Sequence, residues 1–214
     1  MTAPVGETPR SRNINVWKDA EVWVSDNDDA TVAPDGTFGE DWAFIGLLNE
    51  GSEIGSEKDE DRNDINSFGG KKQMTDVRFR KDVRTFDGIE DNEVTHQILH
   101  PGSEWVEDGV SVLATPYRNA EKVIAFKTVN SFGDVLIDIS RRKAEIYASG
   151  NAKGDDGAEV TSYSADVVED DFKQLYDRLR IRSTGVAVND DVAPIRVEGV
   201  TESGPVTGSD PVGE

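Results

Sequence analysis

The chain has 214 residues, with 23 Lys and Arg against 43 Asp and Glu, for a formal net charge of −20. That balance disfavours binding to nucleic-acid phosphates or to anionic lipid, both of which need a basic footprint. The absence of cysteine excludes disulfides, thiol nucleophiles and cysteine-ligated zinc, and a hydrophobic share of 36% allows one core with extensive solvated segments.

Residues 1–12 contain Pro4 and Pro9 and no apolar run, so they read as a flexible arm and not as a secretory signal. Period-two alternation follows. Ala20, Val22 and Val24 alternate with Glu21, Trp23 and Ser25, as in a half-buried antiparallel strand. The stretch 49–70 differs. Its acids are Glu50, Glu53, Glu57, Asp59, Glu60, Asp61 and Asp64, and its sizeable apolar groups are Ile54, Ile65 and Phe68. With no hydrophobic period, it is expected to be a long loop. The next segment inverts the sign. Lys71, Lys72, Arg78, Arg80, Lys81 and Arg84 face Asp76 and Asp82, while Val77, Phe79 and Val83 keep a strand rhythm. An acidic loop followed by a basic strand points to charge complementarity between copies of the chain.

Asp91 and Asn92 can cap a short helix over 92–100, with Val94 and Ile98 on one face and Pro101-Gly102 as its stop. The run Val123–Val129 is apolar on both faces and predicts a central strand. Beyond it, apolar parity moves from odd positions (Val135, Ile137, Ile139) to even ones (Ala144, Ile146, Ala148). A one-residue slip reverses every side chain, so a bulge or bend is expected over 140–143. Gly154-Asp155-Asp156-Gly157 reads as a hairpin turn before a strand carrying Tyr163, Ala165 and Val167. Phe172, Leu175, Tyr176 and Leu179 follow helical spacing, which predicts a second short helix over 170–180. From about Val197 the chain turns to glycine, proline and acids, a flexible acidic tail. The expected organisation is an arm over 1–12, one domain over 13–196 and a tail over 197–214. The domain is expected to be mainly β, an antiparallel sandwich or barrel with one or two short helices.

Little in the sequence points to catalysis. His96 and His100 are four apart, but position 97 is Gln where the H-E-x-x-H zinc motif needs Glu, so a surface or helix-end pair is expected. The run from Asp59 puts Asp64 and Gly70 where a calcium loop needs Gly and Glu. There is no G-x-S-x-G elbow, and Gly69-Gly70-Lys71-Lys72 lacks phosphate-loop spacing. No catalytic residue, cofactor or metal site is expected, and the protein is not expected to be an enzyme. Trp17, Trp23, Trp42 and Trp105 read as core or interface anchors. The competing reading makes them stacking platforms of a β-sandwich recognition domain.

The order of several segments is more informative than any single motif. Asn15-Val16-Trp17-Lys18-Asp19-Ala20-Glu21-Val22-Trp23-Val24 is followed by Trp42-Ala43-Phe44-Ile45-Gly46-Leu47-Leu48. Then come the polar stretch ending at Phe68-Gly69-Gly70, Val77-Arg78-Phe79-Arg80, and Glu90-Asp91-Asn92-Glu93-Val94. Over roughly residues 13–190 this succession resembles the major tail (tail tube) proteins of long-tailed, non-contractile bacteriophages, particularly those of actinobacteria. The resemblance implies hexameric rings stacked into a tube in the virion tail, assembled in the bacterial cytoplasm, with a lumen that conducts double-stranded DNA from capsid to host. It implies as partners other copies of the chain, a tape measure protein inside the tube, and tail terminator and distal tail proteins at its ends. It assigns Glu53, Ile54, Glu57, Asp59, Glu60, Asp61, Ile65 and Phe68 to an inter-ring loop, and the bases from Lys71 to Arg84 to contacts between subunits. It implies no enzymatic activity, and no appended immunoglobulin-like domain is expected. The alternative within the same class is a protein that stops at one ring, a tail terminator or head–tail connector.

Overall fold

The computed structural model describes residues 16–115, 118–153 and 157–183; both expected arms and most of the Gly154–Gly157 turn lie outside them. The protein is mainly β. Its strands are β1 (Trp17–Ser25), β2 (Ala43–Phe44), β3 (Gly55–Asn66), β4 (Lys72–Gly88), β5 (Ala120–Asn130), β6 (Val135–Ser140), β7 (Ala144–Ala152), β8 (Val160–Val167) and β9 (Tyr176–Ile181). One helix, α1 (Glu93–Leu99), lies between β4 and β5. Every strand pairing is antiparallel.

The sheet divides at β5. One edge of β5 pairs with β1 along nearly its whole length. The other pairs with β7 at its start (Lys122 opposite Ala144) and with β6 further on (Ala125 opposite Ile139). Between those two pairs, three steps of β5 face five on the opposite strand, so the chain bulges at Arg141–Lys143. This is the bend that the parity change predicts, and it sends β6 into the half β2-β1-β5-β6-β9 and β7 into the half β5-β7-β8-β4-β3.

The two halves close over one core. Val22, Val24, Ile124 and Phe126 meet Phe86, Ile146, Tyr163, Ala165 and Val167 there, with Ile98 of α1. The Phe86 ring stacks on Tyr163 at 5.2 Å and meets Phe126 edge-on at 6.2 Å. The opposite face of β5 is also buried. Val123 and Ala125 pack with Ile137, Ile139, Leu179 and Ile181 under the β1–β2 connection, which contributes Ala30, Val32 and Trp42. That double burial is why residues 123–126 carry no polar face, whereas Lys127 and Thr128, only partly buried, end the apolar run.

The β1–β2 connection depends on Gly36, at φ +84° in a turn closed by its N–H to Ala33 O. A Cβ there would stand 2.7 Å from Ile181 Cδ1. Gly36→Ala is expected to lower stability by about 1–3 kcal/mol through strain in the left-handed region and this contact. Urea unfolding of the two chains measures it.

Two expectations fail. Residues 170–180 form a turn and a strand, not a helix. Asp170 Oδ1 accepts the N–H groups of Phe172 and Gln174 at 2.8 Å, and β9 then buries Asp177, Leu179 and Ile181 while exposing Arg178 and Arg180. Pairing with β6 overrides the helical spacing, and Arg178 meets its cross-strand partner Asp138 at 2.6 and 2.8 Å. The stretch 49–70 is not a loop either, because Gly55–Asn66 is strand β3.

Arg141, at the bulge, fixes the 170–174 turn through Asp170 (2.6 Å) and β9 through Asp177 (2.6 Å). Burial pushes the Asp170 carboxyl up, but the Gln174 N–H, Arg141 and the Phe172 N–H outweigh it and leave it below its ordinary 3.8. A carboxyl depressed by folding contributes stability that is full above its unfolded value and is lost as pH falls through its folded value. Asp170→Asn is therefore expected to melt below the parent at neutral pH and to converge with it well below pH 3.8. Thermal unfolding across pH tests this.

Candidate assembly surface

β4 pairs with β8 only from Asp82 to Gly88, whereas it pairs with β3 from Lys72 to Thr85. Beyond Asp59 and Lys81 the two strands therefore run on as a ribbon with no third strand. Eight residues of β3 in that ribbon span roughly 26 Å at about 3.3 Å per residue. The ribbon closes through Ser67–Lys71, with Gly69 and Gly70 at φ +98° and +79°.

Both faces of this arm are wet, so its strands carry charge instead of an apolar stripe. Arg80 pairs with Asp61 at 2.6 Å and Lys72 with Asp64 at 2.6 Å across the ribbon, and Thr75 Oγ1 donates to Asp64 Oδ1 at 2.7 Å. Arg62–Glu60 and Arg78–Asp76 pair along each strand. At the root, Lys81 pairs with Asp166 and Arg84 with Asp82. Of the bases expected to await another copy, only Lys71 has no salt bridge among the described residues; the others are matched by acids of their own chain. Glu53 and Ile54 precede β3, and Ile54 packs on the core. Ile65, Met74 and Val77 stand exposed, and Phe68 at the tip is fully so.

The root is held differently. Asp82 is 2% exposed and accepts from Ser56 Oγ (2.8 Å), Arg84 Nε (2.9 Å) and the Tyr176 hydroxyl (2.8 Å). The Arg84 guanidinium lies over the Tyr176 ring at 4.8 Å and the Phe126 ring at 5.5 Å. Burial pushes the Tyr176 phenol far above its usual range, with Asp82 adding to this against Arg84. Burial opposes the charge on Arg84, but Tyr176 and Asp82 outweigh it and hold its pKa raised. This network ties β3, β4, β5 and β9 together where the arm leaves the body.

A cleft of about 530 Å³ opens at the opposite end of β4. Ile89, Glu90 and Asp91 leave β4 along one wall, and α1 supplies His96, Leu99 and His100. Asn92 caps α1, accepting from the Thr95 N–H at 3.0 Å while Thr95 Oγ1 accepts from the Asn92 N–H at 2.8 Å. The segment after the helix adds Trp105, Val106, Glu107, Ser111 and Leu113, and the ends of β7 and β8 add Lys153 and Glu159. His96 is not the surface residue its spacing suggests. It is 5% exposed, with Trp105 at 5.2 Å and His100 at 5.3 Å between ring centroids, and its Nε2 is buried without a hydrogen-bond partner. Leaving such a group unsatisfied costs about 1–3 kcal/mol. Lys153 is taken by Glu159 at 2.9 Å, which lowers the Glu159 pKa. Glu90, Asp91 and Glu107 have no salt bridge among the described residues, so the rim is acidic. A second cleft, by the bulge, mixes Lys81, Arg141, Arg142 and Lys143 with Asp28, Glu121, Glu145 and Asp166, and its charges largely offset one another.

The tryptophans divide. Trp42 is buried and donates to Thr31 O at 2.8 Å. Trp23 stacks on Phe38 at 4.5 Å. Trp105 leans on His96, and Trp17 is exposed at the start of β1. Among the described residues no group of three or more His, Cys, Asp or Glu is placed to hold a metal, and no helix is long and apolar enough to cross a membrane.

Compared with known proteins, the chain matches no protein-family model and no curated protein sequence.

Proposed function

We propose that the protein is a structural subunit that polymerises with copies of itself, and that it forms the tail tube of a long-tailed, non-contractile bacteriophage. In this reading six copies make a ring, and rings stack around a channel for DNA. The arm carries the proposal. An isolated two-stranded ribbon is marginal in water, and this one leaves Ile65, Phe68, Met74 and Val77 exposed among the described residues. Exposed apolar groups on a projecting element mark a surface that another molecule covers. The succession of segments that resembles tail tube proteins supplies the identity of that other molecule: a second copy.

The burial of Trp42 and the stacking of Trp23 on Phe38 weigh against the recognition-domain reading, which needs open aromatic platforms. Electron microscopy of concentrated protein tests the proposal. Six-fold rings in stacked tubes are expected. Isolated rings would favour a terminator or connector, and a chain that stays monomeric at millimolar concentration overturns polymerisation.

A lumen charge follows from the same reading. Each chain carries −20, and DNA carries about one negative charge per 1.7 Å. A net acidic channel wall would keep the duplex centred, whereas a basic one would bind it. Acids are expected to outnumber bases among side chains reaching the lumen in a reconstruction of the tube; a net positive wall overturns this.

A further inference from the structure

We infer that the arm tip of one copy seats in the cleft at the far end of β4 of a second copy. The inference deepens the tube reading, and rests on it for the stacking of rings, but the contact is read from the chain itself. Three observations meet. Phe68 is a fully exposed ring at the tip of the arm, and Lys71 beside it has no salt bridge among the described residues. The cleft offers apolar walls at Leu99, Trp105 and Leu113, an acidic rim at Glu90 and Glu107, and a buried His96 Nε2 that lacks a partner. Its volume of about 530 Å³ lies within the range of pockets that hold small organic groups. An aromatic ring followed by an ammonium group matches such a cleft in polarity and in charge sign.

The third observation is placement. Tip and cleft stand at opposite ends of one strand, because β4 begins at Lys72 beside the tip and ends at Gly88, where Ile89–Asp91 enter the cleft wall. Its 17 residues separate the two by roughly 50 Å of strand contour. β3 and β8 hold β4 extended, so the tip is kept from its own cleft. A tip-in-cleft contact is therefore heterologous. It uses two different surfaces of each copy, so it does not pair two copies off in an isologous dimer and leaves a free tip and a free cleft at the ends of each joined pair.

The chain has no cysteine, which makes disulfide trapping clean. The full-length Asn66→Cys/Ser111→Cys double variant, which keeps the Phe68 ring, is oxidised under assembly conditions and run without reductant, beside each single variant and an equimolar mixture of the two. The double variant is expected to give a ladder, the mixture only one-to-one products, and each single variant mainly monomer. Lys71→Glu in the double variant is expected to suppress the ladder, and further addition of Glu107→Lys to restore it. Absence of the ladder, tip-to-tip dimers of the Asn66→Cys chain as abundant as the mixed product, or a ladder indifferent to both charge changes overturns the contact. Microscopy of the same samples separates the two readings. Tubes without the ladder overturn this contact and leave the tube assignment standing. A ladder without tubes leaves the contact standing and overturns the tube assignment, and neither overturns both.

Discussion

Replacing the arm by a two-residue turn is expected to leave a folded chain that no longer stacks. Lys58 and Asp82 are direct cross-strand partners at the root, so joining them through Asn-Gly makes a hairpin of a favoured kind. Everything removed lies outside both apolar clusters, whose members from β4 begin at Phe86. The buried network survives as well, since Ser56, Asp82, Arg84 and Tyr176 all stay in place. The ion pairs across the ribbon that go with the arm are exposed and contribute about 0–1 kcal/mol each; Lys81 goes too and leaves Asp166, at 12% side-chain exposure, without its partner, which is the one costlier loss. The melting temperature should therefore fall only modestly, while stacked tubes disappear from concentrated samples. Circular dichroism with thermal unfolding checks the first outcome and negative-stain microscopy the second. Unchanged tubes would show that the arm plays no part in polymerisation.

That surgery also marks where sequence reasoning lost its footing. Hydrophobic period is written by a face that is buried and apolar, and it is legible where such a face exists. The two buried faces of β5 left Val123, Ile124, Ala125 and Phe126 an unbroken apolar run. The bulge at Arg141–Lys143 left a parity change, and α1 left Val94 and Ile98 four apart above an Asn92 cap. The arm has no buried face beyond its root, so β3 left five acids among its 12 residues and no hydrophobic period. The traces it did leave were local: glycines at a turn, and opposite charges on two runs of similar length. Those charges read as a message to another copy because, in one dimension, a cross-strand partner looks like a distant segment. The error over 170–180 has another cause. Asp177 is buried by its pairing with Arg141, so a strand whose inward face is part carboxylate lost its alternation, while the exposed Phe172 completed a false helical stripe. The cleft was nearly invisible, since β4's exit, α1, the 105–113 segment and the ends of β7 and β8 build it from separate stretches. Only the His96–His100 spacing hinted at it, and burial under Trp105 was not encoded in that spacing.

Asp82→Ala is expected to be the most damaging single change among the polar residues, at about 3–5 kcal/mol, the cost of breaking a buried ion pair by removing one partner. Arg84 would remain at 14% side-chain exposure with its counter-ion gone, and Ser56 Oγ and the Tyr176 hydroxyl would lose their common acceptor. Tyr176→Phe removes one donor from Asp82 and one acceptor from Arg84 but leaves the ion pair, so a smaller loss of about 1–3 kcal/mol is expected. The two effects should not add. With Asp82 gone the Tyr176 hydroxyl has lost that hydrogen bond already, so the double variant should be more stable than the sum of the single losses implies. Urea unfolding of the four chains measures the coupling, with the midpoint moving and the slope unchanged. The location of the damage is as informative as its size. Ser56 opposes Arg84 at the base of the ribbon, so amide exchange in Asp82→Ala should quicken first at the root of β3 and only later in β5 and β8. Uniform quickening across the molecule would mean that the network stabilises the sandwich as a whole and does not set the arm's attachment.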